Sequence, residues 1–134
     1  MALLVPDAGE LQLLTMALKK ATVETQTLKL FVSNTTPAEG DTAGTYTEMS
    51  TLGYAAITLV RANWTVATVT GTTTADYPQQ TFTFTAGSAV NVYGYYIIET
   101  TSGVLLWAER FSDGPYPIAN TGDQIKITPK ISLE

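Results

Sequence analysis

Four candidate catalytic carboxylates, Glu99, Glu109, Asp113 and Asp123, all lie in the second half of the chain. Paired acids are the catalytic device this composition leaves most open, because a glycosidase needs only two carboxyl groups about 5 to 9.5 Å apart. There is no cysteine and no histidine. That excludes nucleophiles of the Ser-His-Asp and Cys-His kinds, the commonest general base and the commonest transition-metal ligand. No serine sits in a G-x-S-x-G elbow or an S-x-x-K spacing, so a Ser-Lys pairing has no motif behind it. Glu99 and Glu109 lie on neighbouring strands of an expected hairpin, but at its opposite ends. They read as solvated strand-end carboxylates, and the chain is expected not to be an enzyme.

Metal and cofactor chemistry has as little behind it. Glu39 and Asp41 bracket Gly40, and Asp113 and Asp123 lie in loops, yet no D-x-D-x-D-G spacing concentrates oxygen ligands for calcium. No Walker or Rossmann glycine loop is present, and no cofactor is expected. Asn34-Thr-Thr and Asn63-Trp-Thr match the three-residue glycosylation acceptor, a pattern common by chance.

The elements that must position these residues are mostly strands. Asp7 and Glu10 form a capping pattern for a helix to about Lys20, with Leu11, Leu14, Leu18 and Ala21 at helical spacing, Leu13 and Met16 widening the stripe, and Lys19 and Lys20 near its end. From Thr22 onward threonine, tyrosine and β-branched residues dominate. Leu28, Leu30 and Val32 alternate as a first strand; Asn34 to Thr51 is a long polar loop; Tyr54 to Leu59 and Trp64 to Val69 read as strands. Gly71 to Pro78 reads as a turn-rich connection. Phe82 and Phe84 alternate with threonines. Val92 to Glu99 is apolar on both faces, as a central strand would be, and Thr101-Ser102-Gly103 turns it into Val104 to Phe111. Ile125, Ile127, Ile131 and Leu133 form a last alternating run in which Pro129, lacking a ladder donor, marks an edge or a bulge.

The expected fold is therefore mainly β: an antiparallel β-sandwich or jelly-roll-like domain of about seven or eight strands with one N-terminal α-helix. A chain of 134 residues suits a single domain over 1–134, with 1–21 as N-terminal arm and helix and 22–134 as the sandwich. At 45% hydrophobic and 14% charged it is not disordered. A net charge of −5 has the wrong sign for a nucleic-acid backbone. No apolar run nears the roughly 18 residues of a transmembrane helix, and the start, cut by Pro6 and Asp7, lacks the basic region of a signal peptide. Neither nucleic acid nor membrane is an expected partner. Tyr93, Tyr95, Tyr96, Trp107 and Tyr116 could stack on sugars, but on a two-faced strand such residues more often fill a core or a subunit interface.

The run Val92-Tyr-Gly-Tyr-Tyr-Ile, then Gly103-Val-Leu-Leu-Trp-Ala-Glu-Arg-Phe111, then Asn120-Thr-Gly-Asp-Gln-Ile and Ile127-Thr-Pro129, resembles small structural proteins of tailed bacteriophages. The opening Met1-Ala-Leu-Leu-Val-Pro-Asp-Ala-Gly-Glu10 and Gly53-Tyr54 share the likeness. Those proteins are virion components similar to capsid decoration, or cement, proteins. The resemblance implies a jelly-roll-like domain on the capsid exterior of the virion, assembling as a homotrimer, binding the major capsid protein and stabilising the head. A tail- or fibre-associated module binding host-surface glycans is the alternative. Leu3, Leu4, Val5 and Pro6 are candidates for an arm reaching a neighbouring capsid subunit, against the alternative that they pack on their own domain. Tyr93, Tyr95, Trp107 and Tyr116 are the candidates for a subunit interface.

Overall fold

In the computed structural model, residues 3–18 and 24–133 are described. A helix, α1 (Asp7–Leu18), precedes eleven strands. These are β1 (Gln26–Phe31), β2 (Ile57–Leu59), β3 (Thr65–Val69), β4 (Thr72–Asp76), β5 (Gln80–Thr83), β6 (Val90–Val92), β7 (Gly94–Glu99), β8 (Leu105–Arg110), β9 (Tyr116–Ile118), β10 (Gln124–Ile127) and β11 (Lys130–Leu133). All pairings are antiparallel. The protein is mainly β and consistent with a β-sandwich, as its alternation predicts.

The main sheet has the order β2-β1-β7-β8. Leu28 pairs with Ile97, Leu30 with Tyr95, and Ile97 with Trp107. The face carrying these residues packs against Phe82, Phe84, Ile118, Ile125 and Ile127, in one apolar cluster with the pairs β10-β5 and β6-β9. The opposite face carries Phe31, Tyr96, Leu105 and Ala108, and it too is buried, because Tyr46 from the 34–51 loop lies over it. That loop explains why β7 is apolar on both faces: a strand covered twice cannot alternate with polar residues.

Helix α1 lies on β8 at closest range. A Cβ on Gly9 would sit 2.1 Å from the Leu106 carbonyl oxygen, so only glycine lets the helix touch the strand backbone. Gly9 fixes the buried stripe through Leu13 and Met16, four and seven residues on. Leu11, expected in that stripe, is turned to solvent. Lys19, Lys20 and Ala21, the expected end of the helix, lie outside the described residues.

Other expectations need correction. Among the described residues there are eleven strands in place of seven or eight. The expected connection 71–78 contains β4, joined to β3 by the two-residue turn Thr70-Gly71, both at positive φ (52° and 85°). That is the backbone pattern whose twist matches a tight hairpin. The expected strand 92–99 is split at Tyr93 into β6 and β7, and Tyr93 donates its N–H to the Phe31 carbonyl at 2.9 Å. The final run is two strands in different sheets, β10 with β5 and β11 with β4. Pro129 stands between them, its carbonyl accepting the Tyr77 N–H at 2.9 Å. Tyr116–Ile118 forms a further strand, β9, outside every expected strand.

Candidate functional site

A groove of about 340 Å³ opens between α1, β8 and the three-stranded sheet β11-β4-β3. One wall is Leu13 and Met16 of the helix with Leu106 and Trp107 of β8; the other is Ile131, Ala75 and Val66. The second wall follows from register: Ile131 faces Ala75 across β11 and β4, and Ala75 faces Val66 across β4 and β3, so three apolar side chains line up on one sheet face. Trp64 closes the end of the groove, edge-on to Trp107 with ring centroids 6.0 Å apart. It is held in place by its indole N–H, which donates to Gln26 Oε1 at 3.1 Å, and by Tyr77, whose ring it meets at 5.1 Å. The Tyr77 hydroxyl in turn accepts the Val60 N–H at 2.8 Å, anchoring the short helical turn Arg61–Asn63. Arg61 is the charged residue of the lining. Trp107 Nε1 is buried with no hydrogen-bond partner.

Beside the groove, β3 stands exposed on both faces. Val66 keeps 67% of its surface in solvent and Val69 70%. A strand of Thr65-Val-Ala-Thr-Val69 with no charge is an unguarded sheet edge, and such edges recruit other chains. Mixed with the apolar groove, it makes this side a surface fitted to protein contact.

The structure separates the residues marked out from sequence. Leu4 forms an antiparallel bridge with Ala108, donating to its carbonyl at 3.3 Å and accepting its N–H at 3.1 Å. Pro6 is buried, and Leu3 and Val5 pack against the main cluster. Residues 3–6 thus extend the main sheet along β8 and take the second of the two alternatives, packing on their own domain. Tyr95 and Trp107, marked for a subunit interface, are core residues with 5% and 3% of their surface exposed, because β7 and β8 are covered on both faces. Tyr93 and Tyr116 are half-buried. Tyr93 lies under the Arg110 guanidinium at 5.1 Å, and Tyr116 packs on Phe111 at 4.9 Å. None of the four lies near the β3 edge in sequence, and of them only Trp107 lines the groove.

The carboxylates are engaged locally. Glu99 and Glu109 do lie at opposite ends of the β7–β8 hairpin: Glu109 faces Tyr95, while the Glu99 N–H donates to Val104 beside the turn. Glu99 is not solvated as expected; it has no exposed surface. Its carboxylate accepts the N–H groups of Thr101 at 2.7 Å and Ser102 at 2.6 Å, and hydrogen-bonds the side chain of buried Glu24. Burial pushes its pKa up, but the hydrogen bonds from Glu24, Ser102 and Thr101 outweigh that and hold it at about 2. Glu109 accepts the Tyr95 hydroxyl proton at 2.6 Å; burial first, then this bond, push the Tyr95 pKa upward. Asp113 accepts from the Tyr116 hydroxyl. Asp123 accepts the Ala119 and Asn120 N–H groups at 2.9 and 2.8 Å, a side-chain-closed turn. Asp41 likewise holds its own loop, accepting from Ala38 N–H and the Tyr46 hydroxyl. Among the described residues no cluster of three or more acidic side chains could hold a metal ion.

Sequence reasoning missed Glu24 as the neighbour of Glu99 and missed the groove entirely. A signal for the hairpin existed: runs rich in β-branched residues, Thr65-Val-Ala-Thr-Val69 and Thr72-Thr-Thr74, on either side of Thr70-Gly71. Nothing local marks Leu13, Met16, Trp64 and Ile131 as neighbours. Comparison with protein-family models, with curated proteins and with solved structures finds no match.

Proposed function

We propose that this chain is a non-enzymatic structural protein of a tailed-phage virion, binding the outside of the capsid lattice as a decoration protein that stabilises the head. The observation that carries the reading is the apolar groove bordered by the uncharged, doubly exposed strand β3. A decoration protein needs a stiff body that presents a protein-binding surface. The doubly covered main sheet supports the first requirement, and the groove side supports the second. The resemblance of the Trp107-Ala-Glu-Arg-Phe111 and Asn120-Thr-Gly-Asp123 segments to phage structural proteins supplies the capsid as partner. Binding to the assembled lattice and not to its dissociated subunits would stabilise the lattice by mass action.

The test compares particles with and without added protein during heating or transfer to low salt. Retention of intact particles only when the protein is bound is the expected result, lost on Trp64→Ala or Val66→Lys, which alter the groove. Particles that fail at the same temperature with and without it would overturn the reading, and glycan-array binding would then favour the tail alternative.

A further inference from the structure

The hydrogen-bond parity of β3 determines what its open edge can accept. Val69 faces Thr72 across the two-residue turn, so that pair exchanges both backbone hydrogen bonds. Alternation then makes Ala67–Thr74 and Thr65–Asp76 bonded pairs, and leaves the N–H and C=O of Val66 and Thr68 directed away from β4. The Thr68 and Thr73 hydroxyls, 2.8 Å apart, fit this assignment, because side chains approach more closely in the non-bonded pairs.

We propose that β3 pairs antiparallel with β3 of a second copy of this chain, about a two-fold axis at Ala67, joining two three-stranded sheets into one of six strands. In that register Val66 meets Thr68 of the second copy, and both outward pairs of N–H and C=O groups are used on each side, four hydrogen bonds in all. Thr65 meets Val69, and Ala67 meets its own counterpart. Every valine faces a threonine, whose methyl it can cover, and the smallest residue lies on the axis, where two side chains come closest. No charge occurs between Thr65 and Val69, so nothing on the strand opposes its own image. Both faces of β3 are exposed, so the chain's own body covers neither side of the joint. The strand is thus self-complementary in register, hydrogen-bond parity and side-chain size, as an isologous contact requires. The inference does not depend on the capsid reading, and it gives a two-fold pair in place of the homotrimer that the phage resemblance implies. The joint uses the backbone edge of β3 and leaves the groove wall of Val66, Ala75 and Ile131 for a further partner.

Sedimentation equilibrium of the full chain tests it. The wild type is expected to be a dimer at micromolar concentration. Ala67→Lys and Ala67→Glu each place like charges opposite one another on an exposed face, and each should weaken dimerisation about tenfold with an unchanged circular dichroism spectrum. Mixing the two variants should restore dimers. The chain has no cysteine, so Ala67→Cys offers an independent reading of register: with dissolved oxygen as oxidant it should form an intermolecular disulfide without denaturant, whereas Gly71→Cys at the turn should not. A monomeric or trimeric wild type, or a dimer indifferent to both charges, would overturn the proposal.

Discussion

Tyr46 stacks on Tyr96, with ring centroids 5.3 Å apart and planes inclined by 22°, so that a residue of an irregular loop lies flat on the central strand of the main sheet. Phe31 completes the cluster, 4.9 Å from Tyr46. The Tyr46 hydroxyl donates to Asp41 at 2.7 Å, which ties the aromatic lid to the turn of its own loop. The 34–51 loop is therefore a covering layer as much as a connection.

Removing the lid should be costly. Tyr46→Ala is expected to destabilise the fold by about 3 kcal/mol through the cavity left over Phe31 and Tyr96. Tyr46→Phe keeps the ring and loses only the Asp41 bond, about 1 kcal/mol. Urea unfolding of the two variants measures the difference; equal effects would show that the hydroxyl, not the ring, holds the loop.

The Glu99 carboxylate should make stability acid-sensitive. Its folded pKa, about 2, lies below the ordinary value of 4.5. The stabilisation is therefore complete above about pH 4.5 and is lost as pH falls towards 2. Glu99→Gln should cost about 2 kcal/mol at neutral pH, and its deficit against wild type should shrink steadily across that acid range. Thermal melts at a series of pH values test this, and a deficit constant down to pH 2 would rule it out.

Gly94 admits no side chain. A Cβ there would lie 2.2 Å from the Glu109 carbonyl oxygen and 2.5 Å from the Phe31 ring. Gly94→Ala should destabilise by about 3 kcal/mol, since the obstacle includes backbone that cannot move aside. Gly103→Ala has open space around its Cβ but a φ of 72°, and should cost only about 1 kcal/mol of backbone strain. Equal losses in chemical denaturation would contradict the crowding at Gly94.

Deletion of residues 1–6 discriminates between a docked segment and a reaching arm. It removes both Leu4–Ala108 hydrogen bonds, buried Pro6 and the packing of Leu3 and Val5. The isolated protein should lose about 3 kcal/mol. An unchanged melting temperature would mean that this segment contributes nothing to its own domain.

The parts of the fold that sequence reveals are those where one residue reports its own surroundings. Phe82 and Phe84 alternate with exposed threonines because β5 and its extension have one wet face, and Gly94 to Ile98 carries no charged residue because β7 has none. The failures arise where burial is intermediate or shared. β4 is half-buried throughout, so Thr72-Thr-Thr-Ala-Asp76 shows no period. Pro129 separates two strands that share one alternation, and parity cannot reveal that they enter different sheets. Leu11 fits a helical stripe by spacing, but the close approach of Gly9 to Leu106 rotates it outward. The groove depends on residues from α1, β3, β4, β8 and β11, and no local pattern encodes that meeting. Glu24 and Glu99 are 75 positions apart in sequence and share one buried position because Gln26, two residues after Glu24, is in register with Glu99.

The bridge from Leu4 to Ala108 also bears on the order in which the chain can acquire its shape. Several strands wait for a partner that emerges much later: β1 awaits β7, β4 awaits β11, β5 awaits β10, and Leu4 awaits the end of β8. During synthesis the β3–β4 hairpin, the short β1–β2 pairing and the Phe31–Glu48 bridge can close early. Contacts so distant along the chain slow folding, because loop closure must precede the gain. The apolar segment Leu3 to Pro6 therefore has no partner strand until β8 has been made, and the main sheet should reach its native form only after β8 has left the ribosome.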